Sequence, residues 1–208
     1  MLSIFLISSL LGLSGVNAFC GDNGGATIGW GSQAQSDQSG PSAWLGFNSN
    51  GPFNAAGNPI LTVVGSPPEH QFAAFICGQA NPDSYPQTTF GPVVSLTADP
   101  SACWTVSALE AANATISLLP CLTDVESNPY PTQMFEWIGT AYITYGFVFL
   151  GNQTGLPLDP SVPTDYTPSL VPATNTTAAY VRLDYTPGGL PPSTGLETGL
   201  ILSLSDDD

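Results

Sequence analysis

The sequence predicts an all-β chain of many short strands, arranged as a barrel, a sandwich or a trefoil. Three observations lead there. The 208 residues include 22 Gly and 20 Pro, and both residue types interrupt helices. From residue 60 onward, short apolar runs of β type alternate with turn residues. Only Ser107 to Ala112 has helical composition, and a helix of six residues is too short to stand alone.

The runs follow in order. Met1 to Ala18 reads as a secretory signal peptide, with an apolar stretch from Leu2 to Leu13 and small residues, Val16 and Ala18, before the cleavage point. That stretch is shorter than the roughly 20 apolar residues a membrane span needs. The expected mature chain is a single domain over residues 19–208. Its first part, residues 19–59, is rich in Gly, Ser, Asn and Gln, with two apolar patches, Ile28 to Trp30 and Trp44 to Phe47. Strands are expected at 60–64, 72–77, 93–97, 103–107, 114–119, 133–138, 141–150, 179–185 and 199–204, and at the two N-terminal patches. The Pro-rich stretch from Gly155 to Pro172 is expected to be a long loop, because β-type runs resume beyond it.

Charge removes whole classes of function. Lys and Arg together number one, Arg182, against 16 Asp and Glu, a formal net charge of −15. Nucleic-acid binding draws its affinity from Lys and Arg displacing counterions, so no nucleic-acid partner is expected. An anionic membrane surface repels the chain for the same reason, and no membrane partner is expected. A Walker phosphate loop needs a Lys. Mutual repulsion among so many carboxylates disfavours the charged folded state. The folded chain then binds more protons than the unfolded one, and stability is expected to rise as pH falls.

Two features agree with export. Cys20, Cys77, Cys103 and Cys121 are an even set, expected to form two disulfides by one of three connectivities. Asn113-Ala114-Thr115, Asn152-Gln153-Thr154 and Asn175-Thr176-Thr177 are acceptor sequons for N-glycans, which makes Asn113, Asn152 and Asn175 candidate glycosylation sites.

Catalytic constellations are sparse. His70 is the single His, so any Ser–His–Asp triad must use it, but it reads first as a solvated turn residue after Pro67-Pro68-Glu69. There is no Gly-x-Ser-x-Gly motif. One His and four Cys expected to be oxidised build no ordinary zinc site, and neither metal nor cofactor is expected. The expected mature N-terminus is Phe19, not the His that copper-dependent polysaccharide monooxygenases start with. Glu110, Asp124, Glu126 and Glu136 are carboxylates near the best-patterned segment, but nothing in the sequence selects a catalytic pair among them. The chain is therefore expected not to be an enzyme.

Residues 93–137 carry the most specific pattern. Cys103-Trp104-Thr105-Val106 opens a hairpin, Ile116-Ser117-Leu118 returns, and Cys121 closes it eighteen residues after Cys103. A Pro-containing loop then leads to Gln133-Met134-Phe135. His70-Gln71-Phe72 and the run to Cys77 resemble the end of a preceding unit. This arrangement resembles the repeat of ricin-B-type β-trefoil lectins, in particular their secreted fungal relatives. The resemblance implies a β-trefoil, with a β-sandwich as the alternative. It implies a Cys103–Cys121 disulfide and with it Cys20–Cys77. It also implies non-catalytic binding of neutral glycans or cell-wall polysaccharide, in pockets where a carboxylate accepts from sugar hydroxyls and an aromatic stacks on the ring.

The family places an Asp two residues after the first Cys of the hairpin, where this chain has Thr105. Asp124 and Gln133 are the candidates for a displaced pocket, although Asp124 reads first as a turn residue before the Pro-containing loop. Trp30, Trp44 and Tyr130 are the candidate stacking aromatics; Trp30 and Trp44 lie among Gly and Ser but read first as core or loop packing, because buried aromatics anchor small cores, and Tyr130 lies in the Pro-containing loop. Trp104 and Trp137 sit in apolar runs and are expected to pack in the core. The alternative to a lectin is a structural or protein-interaction scaffold without sugar sites. A glycoside hydrolase ranks behind both.

Overall fold

A computed structural model describes residues 21–31, 42–65, 72–76, 78–79, 88–96, 101–122, 132–139, 144–149, 151, 166–174, 178–186 and 199–203. Among them are fourteen strands and no helix. The strands are β1 (Gly21–Gly31), β2 (Ala43–Phe47), β3 (Leu61–Val64), β4 (Phe72–Ile76), β5 (Gly78–Gln79), β6 (Thr88–Gly91) and β7 (Val93–Ser95). They continue with β8 (Ala102–Val106), β9 (Ala114–Pro120), β10 (Phe135–Gly139), β11 (Thr144–Phe149), β12 (Tyr166–Pro172), β13 (Ala179–Tyr185) and β14 (Gly199–Ser203). The six residues of helical composition, Ser107 to Ala112, form the turn between β8 and β9.

All pairings are antiparallel and join the strands into one curled sheet in the order β2-β3-β13-β9-β8-β7-β4-β1-β14-β11-β10-β6-β5, with β12 on β13. The curl is made at β1. Its first half pairs with β4, and its second half pairs with both β14 and β2, so the path folds back on itself. The change of partner follows a register shift between Asp22 and Gly25, where two residues of β1 stand opposite one of β4. Such a bulge bends and twists a strand, and the Gly-rich sequence of β1 accommodates it. These registers establish an all-β, curled antiparallel sheet; they do not of themselves define six hairpins about a threefold axis.

The inner face of the curl holds a continuous chain of aromatic rings. Phe47 and Phe72 meet Trp104 with centroids 6.3 and 5.4 Å away, and Trp104 meets Phe135 at 5.7 Å. Phe149 follows at 5.2 Å, then Tyr166 at 4.9 Å and Tyr185 at 5.2 Å. Most of these contacts are edge-to-face, the arrangement the ring quadrupole favours. Ile28, Leu45, Leu61, Val106, Ile116, Val181 and Leu183 fill the space around them. Trp104, expected in the core, lies at its centre with no exposure. The side chain of Trp137 lies outside the described residues.

One expectation is corrected. The Pro-rich stretch 155–172 was expected to be a loop, yet its last seven residues are β12, paired along the whole of β13. Pro168 and Pro172 are tolerated because, among the described residues, β12 bonds to β13 alone, and an edge strand leaves half its backbone donors unused. The two prolines also blunt that edge against pairing with another chain. Gly151 lies beneath Tyr166 with φ of +60°, and an added Cβ there would stand 2.2 Å from the ring.

Candidate functional site

The segment that carries the family resemblance is built as a closed structural node. The Cys103–Cys121 disulfide is formed. It fastens the β8–β9 hairpin at the end where the Cys121 N–H donates to the Ser101 carbonyl at 2.8 Å. At the other end of the hairpin, Ser107 and Thr115 share a 2.9 Å hydroxyl contact, and the Thr115 N–H donates to Ser107 Oγ. Beside the disulfide, Gln133 is 3% exposed. Its Nε2 donates to Thr105 Oγ1 at 2.7 Å and to the Pro120 carbonyl at 3.0 Å, while Oε1 accepts from the Leu122 N–H at 2.9 Å. Both amide hydrogens are thereby used within the chain. Thr105, at the position of the family's Asp, is buried, and its hydroxyl donates to the Cys103 carbonyl. Every residue of β8 is buried. The aromatics cover one face of it, and the disulfide and Gln133 lie on the other.

Register separates the two N-terminal tryptophans. Ile28 pairs with Leu45 on the core face, so Trp30, paired with Ala43, shares that face and packs against the core. Trp44, paired with Gly29 and with Val64, points to the opposite, outer face. The two therefore do not converge on one pocket. Asn113 is exposed in the β8–β9 turn. Glu110 is exposed in the same turn with φ of 63°, and its N–H donates to the buried Tyr166 hydroxyl at 2.8 Å. Cys20, Cys77, His70, Asp124, Glu126, Tyr130, Asn152 and Asn175 lie outside the described residues, as does the side chain of Glu136.

A second cluster, absent from the sequence expectations, stands on the outer face of β12 and β13. Val181 and Leu183 are buried in the core, so Tyr180, Arg182 and Asp184 alternate outward. Ser169, directly opposite Arg182, shares their face. Arg182 Nη2 donates to Asp184 Oδ2 at 3.0 Å, and Ser169 Oγ donates to the same oxygen at 2.8 Å. Arg182 Nε lies 2.7 Å from Asp184 Oδ1, with its N–H directed off that line. The carboxylate therefore leans back over the Arg182–Ser169 pair, one step from Tyr180. The Arg182 and Asp184 side chains are 29% and 36% exposed, so solvent reaches both. A carboxylate has about four lone-pair sites, and these bonds leave part of that capacity open.

The sole cation of the chain is thus held by a carboxylate on a sheet face, next to a half-buried Tyr. Such a cluster presents fixed acceptors, a fixed donor fork and an aromatic ring. It can orient a polar, uncharged ligand. Among the described residues, no group of three or more His, Cys, Asp and Glu converges on a metal position, and no helix is long and apolar enough to cross a membrane.

Fold and cluster together define an all-β protein with an aromatic core and a polar outer face on β12–β13. No family model, curated protein or solved structure matches the chain.

Proposed function

We propose that the protein is an exported, non-catalytic binder of neutral glycans that uses the outer face of β13. The observation that carries this reading is the Tyr180–Arg182–Asp184–Ser169 cluster, a ring beside a pre-oriented carboxylate. A pyranose has an apolar face suited to an aromatic ring and hydroxyls suited to a carboxylate acceptor. The net charge of −15 repels acidic glycans and is indifferent to neutral ones. Export is supported by the leader-like residues 1–18, the sequons and the formed Cys103–Cys121 disulfide, since disulfides persist in oxidising compartments. The β-trefoil reading rests on the unit of residues 93–137 alone.

A glycan array probed with the secreted protein, its own N-glycans trimmed, tests the function. The expected result is saturable binding to neutral glycans, competed by free sugar and weakened in Tyr180→Ala. Silence at high protein concentration refutes it. The second reading, a scaffold without sugar sites, is favoured by one observation. At the best-matched repeat the family's carboxylate is replaced by the buried Thr105, and Gln133 is bonded internally.

A further inference from the structure

We infer that the ligand is a run of linked neutral sugars lying across β2, β3 and β13, with Trp44 and Tyr180 as two separate stacking platforms. This rests on the glycan-binding reading above. Trp44 pairs with Val64, and Thr62, two residues before Val64, pairs with Tyr180. Partners in register share a face, so Trp44, Val64, Thr62 and Tyr180 all project from the same side of the sheet, Thr62 being buried with its hydroxyl donating to the Ala179 carbonyl and the two rings being half-buried. Strand spacing and rise put Trp44 and Tyr180 roughly 12 Å apart. One sugar ring cannot lie on both.

Trp44 is half-buried, with Val64 beside it on β3 and two glycines on its other flanks. Its partner on β1 is Gly29, and Gly46 stands next to it on the same face of β2. Neither contributes a side chain. Beyond Tyr180 the row continues with Arg182, Ser169 and Asp184, which supply donors and acceptors but no further ring. The order along the face is therefore ring, ring, then polar cluster. A terminal monosaccharide would engage one end of such a row and leave the other idle. An extended chain engages both platforms and places hydroxyls over the carboxylate.

Calorimetric titration with neutral homo-oligomers of glucose, N-acetylglucosamine, mannose and xylose, one to six units long, tests this. In at least one series, affinity should rise by about tenfold or more between one and four units. Trp44→Ala and Tyr180→Ala should each lose about tenfold on the hexamer, with Trp44→Phe restoring most of the loss and near-ultraviolet dichroism unchanged. Binding that is independent of length in every series, or insensitive to Trp44→Ala, overturns the chain inference and leaves the glycan reading standing. Silence in all four series together with a silent array overturns both.

Discussion

Replacing Gln133 separates a structural role from a ligand role. Its amide makes three bonds, two as donor and one as acceptor, at 3% exposure. Each bond is worth about 1 kcal/mol net. Pro120 and Leu122 are exposed, so water replaces part of what they lose, whereas Thr105 is buried and cannot be served that way. Gln133→Ala should therefore cost roughly 2–4 kcal/mol, counting the lost bonds and the volume vacated. Gln133→Glu is more diagnostic. It keeps the shape, removes both N–H donors and sets a carboxylate against the Thr105 and Pro120 oxygens. Burial and those two acceptors favour the neutral acid, so the introduced carboxyl binds its proton more tightly in the folded chain than in the unfolded one. The deficit is full above the folded pKa and shrinks as pH falls through it. Urea unfolding of wild type and variants at several pH values between about 4 and 8 reads this directly, since differencing against wild type cancels the global charge effect. A cost below about 1 kcal/mol for Gln133→Ala, or a Gln133→Glu deficit that grows toward acid, would refute the reasoning. Glycan affinity of Gln133→Ala should be unchanged below its unfolding transition.

Three further outcomes follow from other parts of the molecule. Gly151→Ala places a methyl group 2.2 Å from the Tyr166 ring at φ of +60°. It should cost about 3 kcal/mol or more in chemical denaturation, because the backbone is strained and Tyr166 must abandon Glu110, Phe149 and Tyr185. Removing the Cys103–Cys121 bridge as a double Ser variant opens an 18-residue loop and should cost about 3 kcal/mol in the chain-entropy model, read as a lower urea midpoint with an altered m-value. With sixteen carboxylates facing a single cation, the melting temperature should be higher near about pH 4.5 than near about pH 7.5, and calorimetric scans in the reverse order would contradict the charge argument.

Much of this molecule was legible in the sequence for identifiable reasons. Gly and Pro content argued against a helical bundle, and the short β-type runs marked most strands, because strand residues must alternate with turn chemistry whatever the topology. Trp104 was placed in the core by its apolar neighbours, and the Cys103–Cys121 bond was implied by the resemblance of residues 93–137 to a lectin repeat. β12 escaped because its prolines read as a loop signal, and only its position at the edge of the sheet makes them tolerable. Gln133 was a candidate ligand group in the sequence, because a Gln after a Pro-containing loop carries no mark of whether its amide faces solvent or a neighbouring backbone. The Arg182–Asp184–Ser169 cluster was invisible for a related reason. Arg182 and Asp184 are two apart and share a face by alternation, but Ser169 reaches them only through the β12–β13 register. Likewise Trp30 and Trp44 look equivalent in a Gly-rich stretch, and it is the pairing of β1 with β2 that sends one ring inward and the other outward. Composition and local periodicity act along the chain and mark most of the residues that form strands, β12 excepted. Faces, partners and the meeting of distant side chains are set by which strands pair and in what register, and that is a property of the tertiary fold.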